Sequence, residues 1–301
     1  MVNSKTILFT FDYELFLGER SGTVDKCLIE PTNRLLEILE QYNFKAIFFV
    51  DTTYLIRLSE VSKNNEKAFC DFEKIKMQLR KIAEKKHEIF PHIHPHWLDA
   101  VYLEEINQWQ LKKNDKYRFS SLVVEDKEML FEKSFFILNE ILQQINIGFK
   151  IDSYRAGGWC IQPFSDFIPY FEKHKIINEF SVLRGVSNFN DVQYFDFEIT
   201  PKKNIYRFKD DICIEDSNGK YVQYSISTIK INKWSKFIER ILLKYLWKMG
   251  NRSIGDGNGL ATKKTQLHYK ISSNLEMISI ELLTKVKLPI YLKNIKKNNY
   301  T

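Results

Sequence analysis

At 301 residues, 44% hydrophobic and 14% aromatic, the chain is long enough to bury a full core and too apolar for a disordered one. Its net charge of +7 is concentrated at one end: from Lys230 onward there are 15 Lys/Arg against 4 Asp/Glu, and the first 229 residues are mildly acidic. Four dispersed cysteines (Cys27, Cys70, Cys160, Cys213) form no C-x-x-C pair, which argues against a zinc knuckle or a disulfide framework and for the reduced thiols of a cytoplasmic protein.

The N-terminus lacks a basic region followed by a long apolar run and a cleavage site. Its apolar stretch, Ile7 to Phe11, runs into acidic residues and predicts a buried first strand that emerges at Asp12 and Glu14. EPTNRLLEILEQYN, with Leu35, Leu36, Ile38 and Leu39 and a proline near its start, predicts a helix. FKAIFFVDTTYL predicts a second strand. Phe69, Phe72, Ile75, Leu79 and Ile82 then recur at helical spacing, and EIFPH predicts a third strand. This alternation predicts an α/β fold with a parallel sheet or barrel.

Residues 98–124 have weak periodicity and read as a surface insertion. Residues 125–146 return to a helix, and FKIDSYRAGGW predicts a strand leading into a glycine-bearing loop. DFIPYFEKHKI and EFSVLRG repeat the helix–strand theme, Gly250 to Thr262 reads as a loop, EMISIELL as a late strand and LPIYLKNIKKNNYT as the helix after it. No linker or internal repeat divides the chain, and no run approaches the ~18 apolar residues of a membrane span. Residues 1–301 are therefore expected to form one domain, basic from about residue 230.

In such folds ligands and catalytic groups gather at the carboxyl ends of the strands. Asp12 and Glu14, a histidine cluster and Arg155 all fall at such ends. The cluster, in HEIFPHIHPHWLDA, packs His92, His94 and His96 into five residues, half of the six histidines in the chain. His92 and His96, four apart, fit one side of a helical turn or a Pro-interrupted loop, and His94 is expected to project elsewhere. Two histidines plus a carboxylate is a common zinc set with a position left open for water. On an extended segment Asp12 and Glu14 share a face, so one carboxylate can bind metal while the other acts as a base.

TFDYE, HIHPH and YRAGGW, in this order, resemble the first three motifs of the polysaccharide deacetylase family (NodB-type, carbohydrate esterase family 4) over about residues 5–200. The resemblance implies a distorted (β/α) barrel of that type and a divalent metal ion, most often zinc. It implies Asp12 as catalytic base, Arg155 as the residue that orients it, and His92 and His96 as metal ligands. Glu14 stands one residue beyond the family's usual second carboxylate and is taken here as the third ligand, with Asp12 the alternative. The implied activity is hydrolytic removal of an acetyl group from an amino-sugar-containing polysaccharide or lipid-linked glycan precursor, in cytoplasmic assembly of a surface polysaccharide. The fourth motif has no clean match; NEFSVLRG sits in its place. The fifth, which supplies a general-acid histidine, is missing: either His268 or His94 serves, or the chain stops short of its last barrel strand.

Trp97 and Trp159 directly follow two of the motifs and are candidates for stacking on a sugar ring. Cys160 reads as a buried small residue, His87 and His174 as solvated or capping groups, and Tyr117 and Arg118 as candidates to line a substrate groove. KWSKFIERILLKYLWKMG sets Trp234, Phe237, Ile238, Ile241, Leu242, Tyr245 and Leu246 along one helical face and Lys236, Arg240, Lys244 and Lys248 along the other. A helix lying on the inner membrane face reads this way, as does an ordinary barrel helix. Two rival functions remain: a metal- and glycan-binding relative without turnover, and a nucleic-acid binder using the basic end. The second is disfavoured because the charge forms no recognisable motif.

Overall fold

The computed structural model describes residues 6–16, 18, 20–111, 115–145, 148–231, 234–238, 241, 255–257, 275–280 and 287–297. Strand β1 (Phe9–Tyr13) ends at the acidic residues, as the apolar run predicts. Helix α1 (Glu30–Gln41) starts with its proline in the first turn and leads to β2 (Ala46–Asp51). β2 passes directly into α2 (Thr52–Val61), whose first turn is capped by Asp51 accepting from the Tyr54 N–H. Helix α3 (Glu66–Glu84) is capped by Asn65 and precedes β3 (Glu88–Ile93). Its buried face is Ala68, Ile75, Leu79 and Ile82, with Phe69 turned to solvent.

The segment read as a surface insertion begins with a short hairpin of β4 (Val101–Leu103) and β5 (Gln108–Gln110). It is less superficial than its composition suggests. Trp109, Phe119 and Leu122 are buried in the main core, and Trp109 exchanges hydrogen bonds with Ser21 just after β1. Helix α4 (Val124–Leu142) packs on α2, α3 and β3. It is followed by β6 (Ser153–Ala156), α5 (Ile168–His174), β7 (Asn178–Glu179), the hairpin β8 (Ser187–Phe189) and β9 (Tyr194–Asp196), β10 (Ile205–Phe208) and β11 (Tyr221–Tyr224).

Seven strands form one sheet in the order β1-β2-β3-β6-β7-β11-β10, parallel except for β10, which runs antiparallel to β11. The protein is thus α/β with a parallel sheet. Short strand β12 (Thr228–Lys230) pairs with β13 (Leu275–Met277) in a separate two-stranded sheet, so the late strand exists but lies outside the main one. The final helix is α6 (Lys287–Lys297). Register does the positioning. Asp12 is opposite Phe49, and Asp51, His92 and Arg155 lie in one row across β2, β3 and β6. β1, β2 and β3 each rise from apolar residues such as Phe48–Phe49–Val50 into Asp12, Asp51 and His92 at the same edge, because the core ends there.

Candidate metal centre

At that edge Glu14, His92 and His94 offer one ligand atom each to a common point, a group that could hold a metal ion. The Nε2 atoms of His92 and His94 are 2.9 Å apart. Glu14 Oε2 is 2.9 Å from His94 Nε2 and 3.4 Å from His92 Nε2. Donors about 2.0–2.1 Å from a tetrahedral ion stand about 3.3 Å from one another, so this triangle is near the size such an ion needs. Glu14 Oε2 is buried and makes no hydrogen bond of acceptable geometry, although both imidazoles are in contact range. A buried carboxylate oxygen aimed at two ring nitrogens without hydrogen-bonding to either suits coordination.

The tautomer supports the same conclusion. His92 Nδ1 donates to the carbonyl of Arg155 at 2.9 Å, which leaves the Nε2 lone pair facing Glu14 and His94. Burial raises the Glu14 carboxyl, but the adjacent imidazoles of His94 and His92 outweigh it electrostatically and hold the group well below the usual carboxylate range. Burial opposes charge on His92 too, yet Asp12 and Glu14 prevail and raise it. The two shifts are largely two sides of one attraction, that between the Glu14 carboxylate and a protonated imidazole.

His96 is not in the donor group. Its ring stacks on Tyr117 (centroids 5.6 Å apart, planes at 18°), it is 1% exposed, and neither ring nitrogen has a hydrogen-bond partner among the described residues. Burial holds it neutral, well below the ordinary imidazole value. The structure thus brings together the two rings two positions apart, His92 and His94, and not the pair four apart singled out in the sequence. His92 lies at the last-but-one position of β3 and His94 continues the extended backbone (φ −107°, ψ 92°), so residues two apart share a face, whereas Pro95 starts a 3-10 turn that carries His96 away.

Asp12 and Arg155 meet as expected. Arg155 Nη1 donates to Asp12 Oδ1 at 2.6 Å, Nη2 to Thr10 Oγ1 at 2.9 Å and Nε to the Phe180 carbonyl at 3.1 Å, and the guanidinium lies 4.2 Å from the Phe49 ring centroid. NEFSVLRG thus supports Arg155 from behind. Ser181 donates both its N–H and its hydroxyl to Glu179, and the same hydroxyl accepts from the Ala156 N–H. Burial pushes the Glu179 carboxyl up to about 7, against the lowering influence of Ser181 and Arg155.

No protein-family model matches this chain, and no curated protein matches it. The site's chemistry therefore rests on its own geometry.

Of the other sequence expectations, those for Trp97 and His87 change and that for Cys160 holds. Trp97 is 2% exposed, its indole N–H donates to Asp51 Oδ2 and its ring packs on Tyr54, so no face is open to a sugar. Trp159 is half-buried against Phe195 and remains partly accessible. His87 is buried rather than solvated, and accepts the Ala46 N–H at Nδ1. His174 is half-buried and stacks on Phe135. Cys160 is buried, which pushes its thiol up to about 11 and away from nucleophile chemistry. His268, most of the glycine-bearing loop and the basic segment from 242 to 250 lie outside the described residues.

Asp51 was missed in the sequence. It is buried beside the donor group, with its carboxyl raised by burial to about 7. The signal was present: FFVDTT ends a strand in a carboxylate that also begins a helix, the rule that picked out Asp12 and Glu14. Among the described residues no helix is long and apolar enough to cross a membrane.

Proposed function

We propose that this chain is a metal-dependent hydrolase that removes an acetyl group from an amino-sugar-containing glycan or lipid-linked glycan precursor, on a distorted (β/α) barrel of the polysaccharide deacetylase type. The observation that carries the reading is the double use of Arg155. Its guanidinium pairs with Asp12 while its carbonyl orients His92, so one residue holds a base and a metal ligand in a single frame. Glu14, His92 and His94 would hold a divalent ion, zinc by the character of two imidazoles and a carboxylate. Bound there, it would acidify water and polarise an acyl oxygen.

Asp12 lies outside the donor group, with its side chain 32% exposed, and is the proposed general base. Arg155 is held at all three donor positions and cannot swing away, so Asp12 keeps one direction. The glycan would lie along a cleft of about 470 Å³ lined by Arg118, Gln162, Tyr194, Asp196, Asp210 and Asp211. Its hydrogen-bonding side chains sit beside Pro163, Phe164 and Ile212, a mixture that suits a sugar's hydroxyl groups and its apolar ring face. Tyr117, next to Arg118 in the sequence, stacks on His96 and has its ring centroid 6.4 Å from that of His94. Cytoplasmic assembly of a surface polysaccharide is the setting this reading implies.

The test is acetate release from acetylated chito-oligosaccharides by the zinc-loaded chain. Asp12→Asn and Arg155→Ala are each expected to lower turnover about 10²–10⁴-fold with metal content unchanged. Stoichiometric zinc with no acetate released from any acetylated glycan would reject the hydrolase and favour a metal- and glycan-binding relative without turnover.

A further inference from the structure

Helical residues 234–238 and 241 present Trp234, Phe237, Ile238 and Ile241 at positions i, i+3, i+4 and i+7, one face of a helix. All four are open to solvent, at 76%, 56%, 52% and 55%. In a soluble helix such a stripe normally faces the core. Here the core lies on the other side: Lys236, about 150° around the helix from the centre of the stripe, is 15% exposed and pairs with Glu276 of β13 at 3.1 Å. Glu276 also pairs with Lys287 of α6 at 2.8 Å, so the anchoring face is tied to two elements. The apolar face is therefore directed outward.

Charge identifies what covers it. After Glu239 the sequence carries Arg240, Lys244, Lys248 and Arg252 before its next acidic residue, Asp256. The chain from Lys230 onward is strongly basic, whereas the part that bears the metal centre is mildly acidic. An outward apolar stripe with tryptophan at its edge, set in a basic stretch, has the two attractions that hold a helix in a headgroup layer. Its apolar side chains enter the acyl boundary, and Lys/Arg attract anionic lipid. We propose that this segment docks the protein on an anionic phospholipid surface, with Trp234, Phe237, Ile238 and Ile241 as the inserted face. The assignment does not depend on the hydrolase reading, since it uses no residue of the metal centre.

The experiment is flotation of the full chain with vesicles of phosphatidylcholine alone or mixed with phosphatidylglycerol, with and without added salt. Flotation with the anionic vesicles only, weakened by salt, is expected. Trp234→Ser combined with Phe237→Ser should weaken it at least about tenfold, and Arg240→Glu combined with Lys244→Glu by a similar factor. The circular dichroism spectrum and zinc content of both variants serve as folding controls. Equal flotation of the well-folded variants, or none by the wild type, would overturn the proposal. So would a wild-type dimer by light scattering that becomes monomeric in the Trp234→Ser/Phe237→Ser variant without binding vesicles, because the face would then be an interface between two copies.

Discussion

His92 and His94 lie two positions apart on an extended chain, and that spacing brings their Nε2 atoms to 2.9 Å with Glu14 alongside. His96, four positions from His92, stacks on Tyr117 instead. The two histidines therefore differ in a measurable way. His94→Ala is expected to weaken zinc binding at least about a hundredfold, because it removes a ligand and not merely a supporting contact, whose loss already costs 10–100-fold. His96→Ala should leave zinc stoichiometry intact. Isothermal titration of both variants decides it, and loss of zinc in His96→Ala alone would return the ligand role to the four-residue pair. Asp51 belongs to the same scale: Trp97 and the Tyr54 N–H hold its two oxygens, so it frames the site without joining the donor group.

At the scale of elements, the end of β6 must approach the end of β3 very closely. A Cβ on Gly157 would lie 2.5 Å from the Ile93 carbonyl oxygen and 2.7 Å from His94 Nδ1. Both obstacles are fixed, one by the backbone and one by the donor group, so neither can move aside cheaply. Gly157→Ala is expected to lower stability by about 1–3 kcal/mol, the usual result of overpacking. It should also displace His94 and weaken zinc binding about tenfold or more. Urea unfolding of the metal-free protein separates the first effect from the second, which titration reads. A variant with native zinc affinity would show that His94 is not held in place by this contact.

For the whole molecule, the donor group joins the ends of β1 and β3, which are far apart in sequence and separated in the sheet by β2. A metal that binds only the folded protein stabilises it by mass action, about 2.7 kcal/mol at a free concentration a hundredfold above its dissociation constant. Chelation should therefore lower the melting temperature of the wild type and leave that of His92→Ala unchanged. The pH dependence has a definite sign. In the metal-free protein the folded-state pKa of His92 is raised above the unfolded value of about 6.5. Its protonation thus adds stability that is present below about pH 6.5 and is lost as pH rises through the raised value. Zinc needs the neutral ring, so the melting-temperature gap between zinc-loaded and metal-free protein should narrow as pH falls from about 8 to 6. A gap independent of pH would exclude His92 as a ligand.

The sequence by itself determined which residues reach the functional edge. Runs such as Phe9–Phe11, Phe48–Val50 and Ile89–Phe90 are apolar because the sheet is covered, and the first polar residues after them have to emerge where the cover ends. Asp12, Glu14, the histidine cluster and Arg155 could be placed at that edge by this local rule, and the Asp12–Arg155 pairing followed from the family resemblance. What only the tertiary structure decided is which atoms meet. The row Asp51–His92–Arg155 depends on the register of three strands separated by helices, and that row turns His92 Nε2 toward Glu14. Whether HIHPH continues a strand or begins a turn depends on packing around Pro95, and a five-residue run fits both periods. Trp97 and His87 were misread for the same reason. Their partners, Asp51 and the Ala46 N–H, are each more than 40 positions away, and local periodicity carries no information about contacts at that separation.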